Sequence, residues 1–151
     1  MLERRLSSPS CQLDIIHLRL QQVRYWLDQS PLRQPVRDIL RHIPDLDRAL
    51  SRLALDRGGP RDLGAARSAY VRGEEIARLF ANLPGAIALF DEAGALSGHR
   101  ALIDLLQAAL VAEPPLLARD GGFIATGFDP ELDDVRRLRD EGRSVIAAMQ
   151  S

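Results

Sequence analysis

The chain has 151 residues, a net charge of −1 and a hydrophobic fraction of 46%, a composition typical of a globular domain. All 20 basic residues are arginine, which excludes a P-loop nucleotide site and Schiff-base catalysis, because both need a lysine side chain. The single cysteine, Cys11, excludes an internal disulfide and fits a reducing cytoplasm. Apolar runs are too short for a signal peptide or a membrane span, so we expect a cytoplasmic protein without a membrane partner.

Charge is distributed unevenly along the chain. Residues 1–72 hold 13 arginines against 8 acidic residues, a net of +5, and residues 73–151 hold 7 against 13, a net of −6. One interpretation is that the basic half faces a polyanion. The other is that it pairs with the acidic half, either inside this fold or inside a larger protein that contains the chain. We favour the second interpretation, since an overall pI of about 6.3 argues against an autonomous nucleic-acid binder.

Residues 12–28 predict the first long helix. Apolar side chains recur there at spacings of 3, 4, 3 and 4, which places them on one packing face. This stripe consists of Leu13, Ile16, Leu20, Val23 and Leu27. Tyr25 and Trp26 could form a stacking platform for single-stranded bases. We prefer a packing role, because Arg24 is the only basic residue beside them.

Prolines and glycines divide the following sequence into further helices. The predicted helices cover about 31–42, a short stretch after Asp45, a longer stretch from Pro60 to about 80, and about 98–112. Ser30 is the candidate cap of the helix over about 31–42, and Ser97 is the candidate cap of the helix over about 98–112. Pro84-Gly85 predicts a break, and residues 91–98, which are rich in small side chains, predict a loop.

The segment of residues 120–141 is the most informative part of the chain. Residues 123–126 predict a short extended piece, and Asp129 and Pro130 are well suited to the N-cap and the first position of a helix. Acidic residues in the first turn and arginines after it suit the helix dipole. From 130 to 150 this helix would extend roughly 30 Å. Its apolar stripe consists of Val135, Leu138, Gly142, Val145 and Met149, and no C-cap follows.

Two segments of the chain resemble the bacterial MutS mismatch-repair ATPases. Residues 43–55 with 59–63 are similar to the family's core pattern DLER-x-LSRLAL … PRDL, and residues 120–141 match the segment before its lever helix. The order and separation of the two segments also match. Residues 1–9 are similar to the start of the family's core, whereas residues 73–118 match only in helical character.

The resemblance implies one helical core and lever domain over 1–151, with the lever helix starting at 129. Together with the periodicities, it predicts an all-α multi-helix bundle with a long C-terminal lever helix and at most one short extended segment. The mismatch-reading, connector, clamp and ATPase domains of the family would be absent from this chain.

The resemblance also implies a mechanical role. The family's core couples the DNA clamp to the nucleotide site, and the full-length family is a DNA-dependent ATPase that uses ATP and Mg. For this chain we expect no catalysis and no cofactor of its own. The implied partners are mismatched duplex DNA, a second MutS subunit and other domains of the same protein. The alternative function is a stand-alone helical adaptor that binds mismatch-repair partners.

Arg57 and Arg61 are the only candidate binding residues. They flank Gly58-Gly59 at the start of a predicted helix, where the free N–H groups can attract an anion. The pattern allows a weak anion site, a contact with another domain, or a plain turn. The plain turn is favoured, since the spacing is not that of a nucleotide loop.

Other motifs do not predict a site. His17, His42 and His99 lack the spacing of metal ligands, and Cys11 lacks the flanking signature of a nucleophile. Residues 90–92 fit the family's Phe-x-Glu mismatch wedge, but that wedge lies in an N-terminal domain of the family. We therefore interpret Phe90 as a packing residue. No catalytic, cofactor-binding or metal-binding residue is predicted.

Overall fold

The computed structural model describes residues 2–83 and 91–149 and confirms the all-α prediction. The α-helices of these ranges are α1 (Leu2–Ser7), α2 (Leu13–Asp28), α3 (Ser30–Arg41), α4 (Leu46–Ala54), α5 (Pro60–Ala81), α6 (Arg100–Ala109) and α7 (Pro130–Met149). Across the same ranges no β-strand forms, and the extended pairing there is an isolated antiparallel bridge between Leu110 and Ile124. The predictions for Pro84-Gly85, for Phe90 and for the side chains of Val145 and Met149 lie outside the described residues.

Two predicted helix starts are wrong in detail. Ser97 does not cap α6, because α6 begins only at Arg100. The Ser97 hydroxyl instead donates to the Gly94 carbonyl at 2.9 Å, directly after a 3-10 turn over Asp91–Leu96. This turn replaces the loop predicted for 91–98. Ser30 is the first residue of α3 and not its cap, and its hydroxyl accepts a hydrogen bond from Arg33 at 2.8 Å. The bond from the Ser97 hydroxyl to a backbone carbonyl is the usual local competitor of a serine cap.

α6 is shorter than predicted and ends at Ala109 instead of about 112. The Val111 N–H donates to the Phe123 carbonyl at 3.0 Å, and the Ala125 N–H donates to the Ala109 carbonyl at 2.8 Å. Pairing with the predicted extended piece thus takes the backbone groups that a longer helix would use. A helix continued to residue 112 and the pairing with residues 123–125 need the same backbone groups, and the structure forms the pairing.

The chain divides into two compact units, Met1–Leu46 with Ser68–Arg100, and Asp47–Arg67 with Ala101–Ser151. The first unit has a core of Val36, Ile76 and Phe80. Trp26 packs edge-on against Phe80 with ring centroids 5.6 Å apart, which confirms the packing role predicted for Tyr25 and Trp26. Whether residues 1–151 act as one domain stays a prediction.

The apolar stripe of α2 does not form its packed face. Leu13, Leu20, Val23 and Leu27 are each 59–69% exposed, whereas Tyr25 and Trp26 on another side of the helix contact the core. Aromatic rings bury more area than aliphatic side chains, so the orientation of α2 follows the two rings. The predicted packing of the stripe is therefore wrong within this unit.

α5 runs through Gly73 without interruption. A Cβ added at Gly73 would lie 3.5 Å from the carbonyl oxygen of Leu96, which is an ordinary van der Waals distance. Gly73 itself is buried. Glycine inside a helix costs only roughly 0.5–1 kcal/mol relative to alanine, which is too little to end α5 where it is packed on both sides of this residue.

The second unit is built around small and aliphatic side chains. Ala49, Ala66, Ile103 and Leu110 are buried, and Ile103 is the most enclosed of them at 2% exposure. The glycine pair of the α4–α5 turn is required by space, because a Cβ at Gly59 would lie 2.6 Å from the Leu116 carbonyl oxygen. This close approach supports the interpretation of that pair as a plain turn.

None of the described helices combines the length and the apolar character needed to cross a membrane.

Candidate functional site at the base of the last helix

The first turn of α7 is fixed by its predicted cap. One carboxylate oxygen of Asp129 accepts the N–H groups of Glu131 and Leu132 at 3.0 and 3.2 Å. Pro130 is the first residue of the helix, where its missing N–H leaves no carbonyl without a partner. The cap predicted from the sequence is confirmed.

Two side chains tie the helix to the loop before it. Asp133 accepts the Gly127 N–H at 2.6 Å with one carboxylate oxygen and pairs with Arg136 at 3.1 Å through the other. Arg136 extends its second nitrogen to the Ile124 carbonyl at 3.0 Å. Both side chains are only about a quarter exposed, at 25% and 23%. Gly127 has a φ of +87°, which favours glycine at the point where the loop turns back to Asp133.

Arg67, in α5, binds the segment that follows α6. Its Nη1 donates to the carbonyls of Leu110 and Val111 at 3.1 and 2.9 Å, and its Nη2 donates to the carbonyl of Ala112. These carbonyls follow the end of α6 at Ala109 and lie outside its hydrogen-bonding pattern, and a guanidinium supplies several donors in one planar group. Arg67 therefore satisfies three successive carbonyls that are leaving helical geometry.

These contacts form a continuous set that we call the base network: Arg67, residues 109–112, residues 123–127, Asp133 and Arg136. Arg67 binds the carbonyls of residues 110–112, and residues 109–111 pair with residues 123–125 around the isolated bridge. Arg136 binds the carbonyl of Ile124, which is one of the two bridge residues. The direction of α7 at its base is thereby set by contacts that lead back to α5.

Sequence reasoning missed the two arginines of the base network. The spacing of Asp133 and Arg136 is a signal for an ion pair within α7, but it does not reveal the bond from Arg136 to Ile124. Arg67 and its acceptors are 43 to 45 positions apart in the chain, so no local pattern predicts their contact.

The candidate residues Arg57 and Arg61 flank the start of α5, and both are exposed. The free N–H of Gly59 at that helix start already has an anionic partner, because Asp62 accepts it at 2.9 Å. Asp62 also pairs with Arg52 at 3.1 Å. A carboxylate of the chain itself thus occupies the position where an external anion would bind. The anion or inter-domain role of Arg57 and Arg61 stays a prediction.

The pKa of Asp62 reflects this position. Partial burial acts to raise the pKa, but the Gly59 N–H and the guanidinium groups of Arg52 and Arg48 outweigh it and hold the pKa below its ordinary value. The ionised carboxylate therefore stabilises the start of α5. The signal in the sequence is an acid three positions after an N-cap glycine, which is a variant of the capping box.

Replacing Asp62 with asparagine should lower the free energy of unfolding by about 1 kcal/mol at pH 7. The folded pKa lies below the unfolded value of about 3.9, so the carboxylate's contribution is complete above the unfolded pKa and is lost as the pH falls through the folded pKa. Urea unfolding from pH 7 down into this acidic range measures the change. The difference between the wild type and Asp62→Asn should shrink on acidification, and a pH-independent difference would contradict the assignment. Asp56→Asn, an exposed change before the same turn, is the control.

Asp129→Ala should destabilise the chain by about 1 kcal/mol, because two N–H groups of the first turn of α7 lose their acceptor. Asp134→Ala is the matched control in the same turn, since Asp134 makes only a pair with Arg137 that is 67% exposed on both sides. Thermal unfolding followed by circular dichroism compares the two variants. Equal losses would show that the cap does not hold the helix start.

The described residues form an all-helical fold in which a long helix is held at its base. The MutS domain III family model matches residues 1–151. The chain belongs to the MutS domain III family.

Relatives named DNA mismatch repair protein MutS match the whole chain. The relative from Cereibacter sphaeroides is 59% identical over 152 residues, that from Paracoccus denitrificans 57% over 151, and that from Dinoroseobacter shibae 52% over 153. Each alignment covers 100% of this chain and 17% of the relative. The chain therefore spans about a sixth of the length of the relatives that it matches.

Proposed function

We propose that this chain is the core and lever module of a MutS-type DNA mismatch-repair ATPase, and that it couples the DNA clamp of the parent protein to its nucleotide site. The observation that carries the proposal is the base network, which connects the start of α7 to α5 through residues 109–112 and 123–127. Membership of the MutS domain III family gives that network its context.

The proposed coupling requires stiffness along α7 and at its base. α7 covers Pro130–Met149, and a helix of this length extends roughly 30 Å. A helix with a fixed base moves as a unit once another domain packs against it, because packed elements shift between discrete positions and do not deform continuously. The Asp129 cap and the pair of Asp133 and Arg136 supply the fixed base.

In the proposed role, ATP hydrolysis takes place in another domain of the full-length protein. We propose that this module has no catalysis and no cofactor of its own, and that ATP and Mg act in the ATPase domain. Among the described residues there is no group of three or more His, Cys, Asp or Glu side chains that could hold a metal ion. The proposed partners are mismatched duplex DNA, a second MutS subunit and the other domains of the same protein, in the cytoplasm.

The test compares the chain alone with a full-length protein that carries it. The full-length protein should hydrolyse ATP and bind a mismatched duplex, and the chain alone should do neither. For the chain alone we expect any duplex affinity to be weaker than about 1 μM near physiological salt, which is the range of non-specific binding. ATP hydrolysis by the purified chain, or tighter binding that survives added salt, would overturn the proposal of a purely mechanical module.

A further inference from the structure

We infer that Arg67 and Arg136 close the two ends of one cooperative latch, so that the base of α7 and the segment after α6 open together or not at all. The inference deepens the proposed lever role and rests on it. It concerns a property of the chain itself, which can be measured without DNA or nucleotide.

The geometry of the latch places the two arginines on opposite sides of one short bridge. Arg67 binds the carbonyls of 110–112, and Arg136 binds the carbonyl of Ile124. Between them stand only two backbone hydrogen bonds, from Val111 to Phe123 and from Ala125 to Ala109. An isolated two-residue pairing is marginal in water without additional support. The bridge therefore depends on both guanidinium groups.

The loop side of the latch is constrained as well. Asp133 binds Arg136 and the Gly127 N–H with different oxygens of one carboxylate. If the Arg136 side chain is removed, the loop loses its tie to the second turn of α7 and Asp133 loses its charged partner. Arg67 and Arg136 thus support the two sides of one bridge, at residues 110–112 and at Ile124, which makes a common opening step the expected behaviour.

Coupling of this kind has a specific signature in amide hydrogen exchange. The reporter amides are those of Val111, Ala125 and Gly127, which donate to Phe123, to Ala109 and to Asp133. In a cooperative unit all three amides exchange through one opening, so any change in its equilibrium alters their rates by the same factor. In independent contacts each substitution alters only the nearest amide.

The experiment measures these three rates by NMR in Arg67→Met and in Arg136→Met. We expect each substitution to accelerate all three amides about 10-fold and equally within about twofold, which is the size expected for losing hydrogen bonds to a charged donor. The decisive measurements are the exchange rates of the amides far from each substitution, which are Gly127 in Arg67→Met and Val111 in Arg136→Met. Acceleration confined to the nearest amide, or no protection of these amides in the wild type, would overturn the inference.

Two controls separate the latch from general destabilisation. Arg137→Met removes an exposed pair with Asp134 on the same helix and should leave all three rates unchanged. Amides of α3, in the other compact unit, should keep their wild-type rates in every variant. If methionine at position 136 prevents folding, Arg136→Lys keeps the charge near Asp133 but lacks the forked donor set, and the same equal acceleration is expected.

Failure of the latch inference and failure of the proposed function give different results. Local, uncoupled opening would remove the latch while ATP hydrolysis and mismatch binding by the full-length protein remain as proposed. Loss of those activities in the full-length protein, with equal acceleration in the chain, would instead remove the proposed function and keep the latch.

Discussion

Replacing Phe80 with alanine should lower the free energy of unfolding by about 4 kcal/mol. Phe80 is 7% exposed, lies in the core with Val36 and Ile76, and meets the ring of Trp26 at 5.6 Å. Truncation to alanine removes the ring contact and leaves a cavity in the first unit. Because a domain is typically stable by only 5–15 kcal/mol, a loss of about this size removes a large part of the total.

Urea unfolding followed by tryptophan fluorescence measures this change directly. Trp26 is the only tryptophan in the chain, and it packs on the residue that is replaced. The folded-state emission should shift as well, because the indole gains solvent or empty space beside it. Phe128→Ala is the matched control, since Phe128 is 41% exposed and its truncation should change stability by less than about 1 kcal/mol. Similar losses for the two phenylalanines would contradict the placement of the core.

Replacing Ile103 with alanine should cost about 3 kcal/mol in the second unit. Ile103 is 2% exposed, and no other large side chain among the described residues is as fully enclosed. Deleting its distal carbons leaves a cavity beside α6, and α6 leads directly into the residues that Arg67 binds. We therefore expect the protection of the Val111 amide to fall together with stability.

Leu105→Ala on the same helix is the control for Ile103→Ala. Leu105 is 54% exposed, so its truncation should cost less than about 1 kcal/mol. Chemical unfolding followed by circular dichroism compares the two variants under identical conditions. Equal losses at positions 103 and 105 would mean that α6 packs through a different face from the one described.

Much of the fold could be predicted from local sequence. The start of α7 is the clearest example, because an aspartate N-cap, a first-turn proline and early acidic residues act within one turn of helix. Proline and glycine breaks likewise placed α3, α4 and α5 correctly. Helix caps and helix breaks depend on residues close together in the chain, so local sequence patterns predict them.

Features that depend on distant residues could not be predicted in this way. The stripe of α2 has perfect helical spacing, yet Leu13 and Leu20 are exposed because Tyr25 and Trp26 determine which side faces the core. Arg67 has no local signal of its role, since its acceptors are backbone carbonyls more than 40 positions away. Backbone acceptors carry no residue preference that a sequence pattern could show.

Four residues at the base of α7 lie in the segment that resembles the family most specifically, although the sequence analysis did not identify them as a site. The segment is residues 120–141, and the four residues are Gly127, Asp129, Asp133 and Arg136. In the structure these four residues cap α7 and tie it to the loop. Arg57 and Arg61, chosen for charge beside a helix start, lie where Asp62 already accepts the Gly59 N–H.

We propose that α7 transmits movement as a stiff rod from its fixed base. Gly142 allows the most direct test, because it lies in α7 beyond the base network, it is exposed, and an added Cβ there meets no atom within 4 Å. Gly142→Ala favours the helix by about 0.5–1 kcal/mol. Gly142→Pro removes a helical hydrogen bond, clashes with the preceding turn and kinks the rod.

The measurement is the change that ATP causes in the affinity of the full-length protein for a mismatched duplex, compared between Gly142→Ala and Gly142→Pro. An allosteric factor of this kind is typically 5- to 150-fold. With alanine the factor should be kept. With proline it should fall to about 1, while ATP hydrolysis and nucleotide-free duplex binding are each retained. An unchanged factor in Gly142→Pro would show that nothing is transmitted through the helix.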